Sequence, residues 1–153
     1  MDLILWRHAE AVPDKPGHPD LERRLTAKGE RQAQRMAEWL NQRLSESTRI
    51  LASPARRCQE TARALGRQFK TVEQIGPDVE PLQLLHAARW PEGHDPVLLV
   101  GHQPTLGLVA SLLLTGSAAP WTVKKGAVWW FRQRDREGEG RLLLHAVQSP
   151  DAL

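Results

Sequence analysis

The chain has 153 residues, 41% of them apolar and 25% charged, with a formal net charge of +3 and an isoelectric point near 9.5. That is the composition of one ordinary globular domain covering residues 1–153, with enough material to bury a core. Its lone cysteine, Cys58, excludes an internal disulfide and every CxxC metal or redox motif. No apolar run approaches the roughly 18 residues a membrane span needs, and no basic segment precedes the first apolar stretch. A cytoplasmic chain without membrane contact is therefore expected. Acidic residues are interspersed with the basic ones throughout, as in DREGEGR and LERRLTAKGER. No nucleic-acid partner is expected, and several arginines are expected to face a smaller anion instead.

Short apolar runs alternate with helical patterns, which predicts an α/β fold in three layers, α/β/α, with a mostly parallel central sheet and a C-terminal hairpin. Strands are expected at residues 3–6, 49–52, 97–100, 127–131 and 142–147. The first and third are apolar nearly throughout, as strands covered on both faces should be. A loop is expected from Ala11 to Asp20, where Pro13, Pro16, Gly17 and Pro19 cluster. The first helix follows Thr26, with Ala33, Met36, Ala37, Leu40 and Leu44 on one stripe. A second is expected to start at Ser53-Pro54, Ser53 serving as its cap, and to bury Cys58, Ala62, Leu65 and Phe69. A short helix covers Pro81 to Arg89, and another follows Pro104 through Leu106, Val109, Ala110, Leu113 and Leu114. The last two strands are joined by a polar turn from Arg134 to Gly140. Trp129 and Trp130 should point to opposite faces of their strand.

Three of these strands end in polar side chains. The first runs into Arg7-His8, the third into Gly101-His102, and the second into Ser53-Pro54 with Arg56 and Arg57 one turn later. In open α/β sheets, ligands bind in the crevice outside the carboxyl ends of the strands. If the three strands are parallel neighbours, two histidines and at least two arginines converge there. A helix start at that edge aims unpaired N–H groups into the crevice, and two arginines in its first turn conflict with the helix dipole unless an anion lies between them.

Such a site suits a phosphoryl group. Guanidinium forks bind its oxygens bidentately, and a neutral imidazole can attack phosphorus to give a phosphohistidine that water hydrolyses. Neighbouring arginines favour the neutral imidazole, and a second histidine can donate to oxygens that gain charge in the transition state. This chemistry requires no metal or cofactor, and no histidines are spaced as metal ligands.

LWRHAEA, SPARRCQETA and LLVGHQPTLG, in this order, resemble the three signatures of the histidine phosphatase superfamily, the phosphoglycerate-mutase-like enzymes. The stretch DLERRLTAKG makes the chain most similar to that family's small SixA-type phosphohistidine phosphatases. The resemblance implies that His8 accepts the phosphoryl group, and that Arg7, Arg57 and His102 bind it. The family's serine, followed four positions later by arginine and then by threonine, falls on Ser53, Arg57 and Thr61 and so selects Arg57 over Arg56. Arg23 is implied as a further phosphate or substrate contact. Larger relatives carry a glutamate that protonates the leaving group; here PDVEPLQLLHAARWPEG offers Glu80, outside any matching motif.

An alkoxide benefits strongly from a positioned acid, whereas a departing imidazole is far less basic. The expected activity is therefore hydrolysis of phosphohistidine on a protein, of the histidine phosphotransfer type, through a covalent intermediate. Hydrolysis of small phosphate monoesters is the alternative, and an idle phosphate-binding module a third. Glu10 and Asp14 follow His8 closely enough to line its pocket. His18, His86, His94 and His145 are expected to be ordinary surface or packing residues, and Cys58 a core residue.

Overall fold

The structure is a computed structural model that describes residues 1–136 and 139–153. Among the described residues, six strands form one mixed sheet: β1 (Asp2–Arg7), β2 (Arg49–Ala52), β3 (Lys70–Thr71), β4 (Val97–Gly101), β5 (Val128–Arg136) and β6 (Glu139–Gln148). Their order is β3-β2-β4-β1-β5-β6, with the first four parallel and the last two antiparallel. Four α-helices connect them: α1 (Ala27–Asn41), α2 (Arg56–Arg63), α3 (Pro81–Ala87) and α4 (Thr105–Thr115). The expected α/β fold with its antiparallel C-terminal hairpin is present. The short edge strand β3 was not foreseen, because two exposed polar residues carry no apolar periodicity. The strands of the hairpin run further than expected, to Arg136 and from Glu139, and the tip of the expected turn, Glu137 and Gly138, lies outside the described residues.

Alternation along the strands sorts the core onto two faces. Leu3 and Leu5 of β1, Leu99 of β4 and Phe131 of β5 pack with Leu84 and Leu85 of α3 and Leu106, Val109 and Ala110 of α4. Ile4 and Trp6, Leu98 and Val100, and Val128 pack on the other face with Met36, Ala37 and Leu40 of α1 and Cys58 and Ala62 of α2. Trp129 and Trp130 divide between these faces as expected. Thr26 caps α1, its hydroxyl accepting from Gly29 N at 3.0 Å. The helix ends at Asn41, so Leu44 reaches the same core from the turn that follows.

Two expectations fail at α2. It starts at Arg56 with Ala55 as its N-cap residue, so Ser53 does not cap it. Leu65 and Phe69 pack against the core from beyond its end at Arg63. The first failure lies in Ser53 itself, whose hydroxyl is engaged at the sheet edge.

Candidate active site

Because β2, β4 and β1 are adjacent and parallel, their carboxyl ends open side by side. The sheet hydrogen bonding continues one residue past each of the outer two: His8 N donates to Gly101 O at 3.1 Å and Ser53 N to Val100 O at 3.1 Å. This fixes the backbone of His8 against that of His102's neighbour. Thr61 of α2 ties the helix to the same edge. Its hydroxyl accepts from Ala9 N at 3.1 Å and donates to Arg57 O at 2.7 Å.

His8, His102 and Arg57 are all buried, at 8%, 3% and 4% exposure, and the imidazole centroids lie 5.4 Å apart. Nδ1 of His8 faces the carbonyl of Ala9 at 2.7 Å. A carbonyl only accepts, so the proton sits on Nδ1 and the lone pair is on Nε2. On His102 the pattern is reversed. Arg57 Nη2 donates toward Nδ1 at 3.3 Å, and Nε2 lies 2.7 Å from Ser53 Oγ. Nε2 therefore carries the proton, and Ser53, which also accepts from Ala55 N at 3.2 Å, holds the ring in that tautomer. The donor role expected of His102 toward a phosphoryl oxygen is thus not available from Nδ1 while this neutral ring accepts from Arg57.

Burial lowers the His8 pKa to about 4, with repulsion from Arg57 and Arg7 adding to it against the bond to Ala9. Burial likewise lowers His102 to about 3, again assisted by Arg57. Both rings are neutral at neutral pH, the form the sequence led us to expect of His8. Desolvation, however, outweighs the arginines as the cause.

A crevice of about 490 Å³ opens over these groups, lined by Arg7, His8, Arg23, Arg57 and His102, with Asp14, Asp20, Asp78, Gln103 and Lys125 around them. Arg7 Nη1 donates to Val123 O at 2.9 Å. Arg57 donates to the backbone carbonyl and the carboxylate of Asp20, at 2.9 and 3.1 Å. Arg23 reaches the same carboxylate from Nε at 3.0 Å and the carbonyl of Val12 at 2.9 Å. Asp20 is partly desolvated, which works the other way, but the bonds from Arg23 and Arg57 hold its carboxyl below the usual range. Among the described residues, the buried side-chain nitrogens and oxygens without a partner are Nε of Arg7 and Nε of Arg57. Unpaired buried donors are costly. Both belong to arginines that line the crevice with His8, which sets two positive charges beside the neutral imidazole.

A family model of the histidine phosphatase superfamily (branch 1) matches residues 3–81, which carry Arg7, His8, Arg23 and Arg57. The chain belongs to that superfamily. It is a phosphatase. It is 29% identical over 128 residues to the phosphohistidine phosphatase SixA of Escherichia coli, covering 78% of each chain. It is 32% identical over 158 residues to an uncharacterized protein of Picosynechococcus sp., covering 95% of this chain and 90% of the other. Its fold superposes on the protein histidine phosphatase SixA complexed with tungstate with a TM-score of 0.80, at 25% identity and 99% coverage of both chains.

Within this histidine phosphatase, Arg7, His8, Arg23, Arg57 and His102 line one crevice together with Asp14, and the other candidates do not. Arg56 turns outward, half-exposed, pairs with Glu60 at 3.3 Å and does not line the crevice. Glu80 is exposed at the start of α3, its N–H bonded by Gln83 Oε1 at 3.0 Å, and does not line the crevice. Glu10 accepts from Thr26 Oγ1 at 2.9 Å instead of facing the crevice, whereas Asp14 does line it. His18, His86, His94 and His145 are exposed.

Asp20, Asp78, Gln103 and Lys125 were not anticipated there. For Asp20 a signal existed, since the three-residue spacing sets Arg23 directly after the tight turn that Asp20 begins (Asp20–Glu22). Asp78 gave none. It reaches the crevice from a backbone with φ of 62°, which aspartate tolerates better than most residues.

Proposed function

We propose that this phosphatase hydrolyses phosphohistidine on a protein, with His8 as the nucleophile. The observation that carries the reading is His8 itself: its proton is held on Nδ1 by Ala9, its Nε2 has no partner among the described residues, and Arg7 and Arg57 line the crevice beside it. The Nε2 lone pair forms a bond to phosphorus as the bond from phosphorus to the substrate's imidazole nitrogen breaks, and that nitrogen leaves with a proton. Water then adds to the phosphorus of phospho-His8, releasing inorganic phosphate and restoring neutral His8. Arg7 and Arg57 bind the phosphoryl oxygens throughout, and Arg23 contributes from the rim. Arrival of a dianion opposes the arginine repulsion on His102 and favours its protonated form, in which Nδ1 becomes a donor.

The leaving group supports the choice of substrate. Of the carboxylates at the crevice, Asp20 is bound to two arginines and held ionised, so it is poorly suited to protonate an alkoxide. The sequence-based candidate acid, Glu80, lies elsewhere. An imidazole leaving group tolerates such a site. Hydrolysis of small phosphate monoesters is the second reading, and the carboxylates of Asp14 and Asp78 on the crevice wall favour it.

Phosphate release from a phosphohistidine protein and from p-nitrophenyl phosphate, in wild type and His8→Ala, tests both readings. Fast release from the protein, slow ester turnover and loss of both in the variant are expected. Preference for the ester, still dependent on His8, would favour the second reading. Full activity of His8→Ala would overturn the mechanism.

A further inference from the structure

A second furrow, about 520 Å³, runs beside the crevice and shares Arg23 with it. We propose that it docks the polypeptide segment flanking the substrate's phosphohistidine, and that this segment is acidic. The proposal rests on the phosphohistidine reading and adds to it the chemistry of the partner.

The furrow is built from the proline-rich loop after His8 and the first turn of α2. Val12, Pro13 and Pro19 give it apolar walls, and Lys15, Arg24 and Arg56 give it a basic rim. With Arg23, four cations face one lining carboxylate, Glu22. Among the described residues no carboxylate lies within salt-bridge distance of Lys15 or Arg24, while Arg56 is partly engaged by Glu60 at 3.3 Å. None of these rim cations lines the crevice over His8, so they are not needed to hold a phosphoryl group. Their charge is directed at something that extends beyond it.

A peptide with acidic side chains fits both features, carboxylates at the rim and apolar side chains against the prolines. A single-stranded nucleic acid fits less well. Successive bases stack on a series of aromatic rings, and the furrow has one, His18, with no Trp, Phe or Tyr. Arg23 lines both, so a chain lying in the furrow borders the crevice.

The test uses phosphohistidine peptides of one length with acidic, neutral or basic flanks, and their unphosphorylated forms as binding probes. Wild-type enzyme is expected to favour the acidic series by about tenfold or more in kcat/KM and in affinity, and raised salt should narrow the gap. The triple variant Lys15→Glu, Arg24→Glu, Arg56→Glu should abolish that preference yet keep p-nitrophenyl phosphate turnover. If the variant does not fold, the flank series on wild type still decides. Equal handling of the three series, a preference for basic flanks, or an unchanged preference in a folded variant would overturn the proposal. So would displacement of bound acidic peptide by single-stranded RNA at lower concentrations than by free acidic peptide. Binding of acidic peptides without hydrolysis of any phosphohistidine peptide would sustain the furrow and overturn the substrate reading.

Discussion

Arg57 and His102 meet directly, with Nη2 of the guanidinium 3.3 Å from Nδ1 of the imidazole. The same nitrogen lies 3.1 Å from Asp20 Oδ2, and Nη1 bonds the Asp20 carbonyl at 2.9 Å. Arg57 is thus oriented by two partners at its tip while its Nε stays unpaired. The planar fork both fixes the tautomer of His102 and presents a buried charge to an anion.

Arg57→Ala is expected to lower kcat/KM by about 10²- to 10³-fold, the usual cost of removing one preorganised donor to a transition state. Arg57→Lys should regain only part of this, because an ammonium restores the charge without the fork. Steady-state kinetics with p-nitrophenyl phosphate would check both. Full recovery in the lysine variant would mean that Arg57 acts through charge alone.

The pH profile has a definite expected shape. Burial lowers His8 to about 4 and His102 to about 3, both from 6.5. The neutral His8 needed for attack persists well below neutrality, so kcat/KM should stay flat down to about pH 5 and fall through about pH 4. Folding stability has the same sign. Between 6.5 and the lowered values the unfolded chain binds more protons than the folded one, so stability is lost as pH falls through that window. Circular dichroism at each pH separates unfolding from titration. Arg57→Ala should move the kinetic limb upward, since Arg57 repels the imidazolium in both rings. A wild-type limb near 6.5 would contradict the assignment.

Cys58 should be chemically silent in the native protein. It is fully buried, and burial raises its thiol to about 12 against the opposing pull of Arg57. The thiolate is the reactive form, so a disulfide reagent is expected to find no thiol in the native state and one per chain in denaturant. Activity should survive the reagent. This matters because Sγ lies 3.5 Å from His102 Nε2, where any adduct would displace the ring. Rapid labelling with loss of activity would show that the helix carrying Cys58 opens readily.

What could be read from the residues was whatever depends on period and order. Alternation in β1 and β4, the stripe on α1 and the polar ends of three strands sufficed to place His8, His102 and Arg57 on one edge. Contacts that arise only from packing were not legible. Ser53 looks like a helix cap because serine before proline usually is one, yet tertiary context gives its hydroxyl to His102 and moves the helix start to Arg56. Glu80 was selected by its place along the chain, and the turn into α3 leaves it exposed and outside the crevice. Asp78 enters through a positive φ that no pattern of side chains announces.

Two glycines separate close packing from local strain. A Cβ on Gly107, in the first turns of α4, would run into the backbone carbonyl of Trp121. That carbonyl accepts from Gln103 Nε2 at 2.7 Å, and Gln103 Oε1 accepts from Gly107 N at 2.7 Å. Gly107→Ala must therefore push the Trp121 segment outward and break the bond that steadies Gln103, the neighbour of His102 on the crevice wall. A cost of about 1–3 kcal/mol is expected, as for other overpacked sites, with a fall in kcat even where the variant is fully folded. Gly66 is the control. It has φ of +67° with nothing near its missing Cβ, so Gly66→Ala meets only backbone strain, about 1–2 kcal/mol, and should leave kcat unchanged. Urea midpoints and turnover of folded protein would distinguish the two. Equal losses of stability with no loss of kcat in Gly107→Ala would mean that the Trp121 contact supports the fold but does not reach the site.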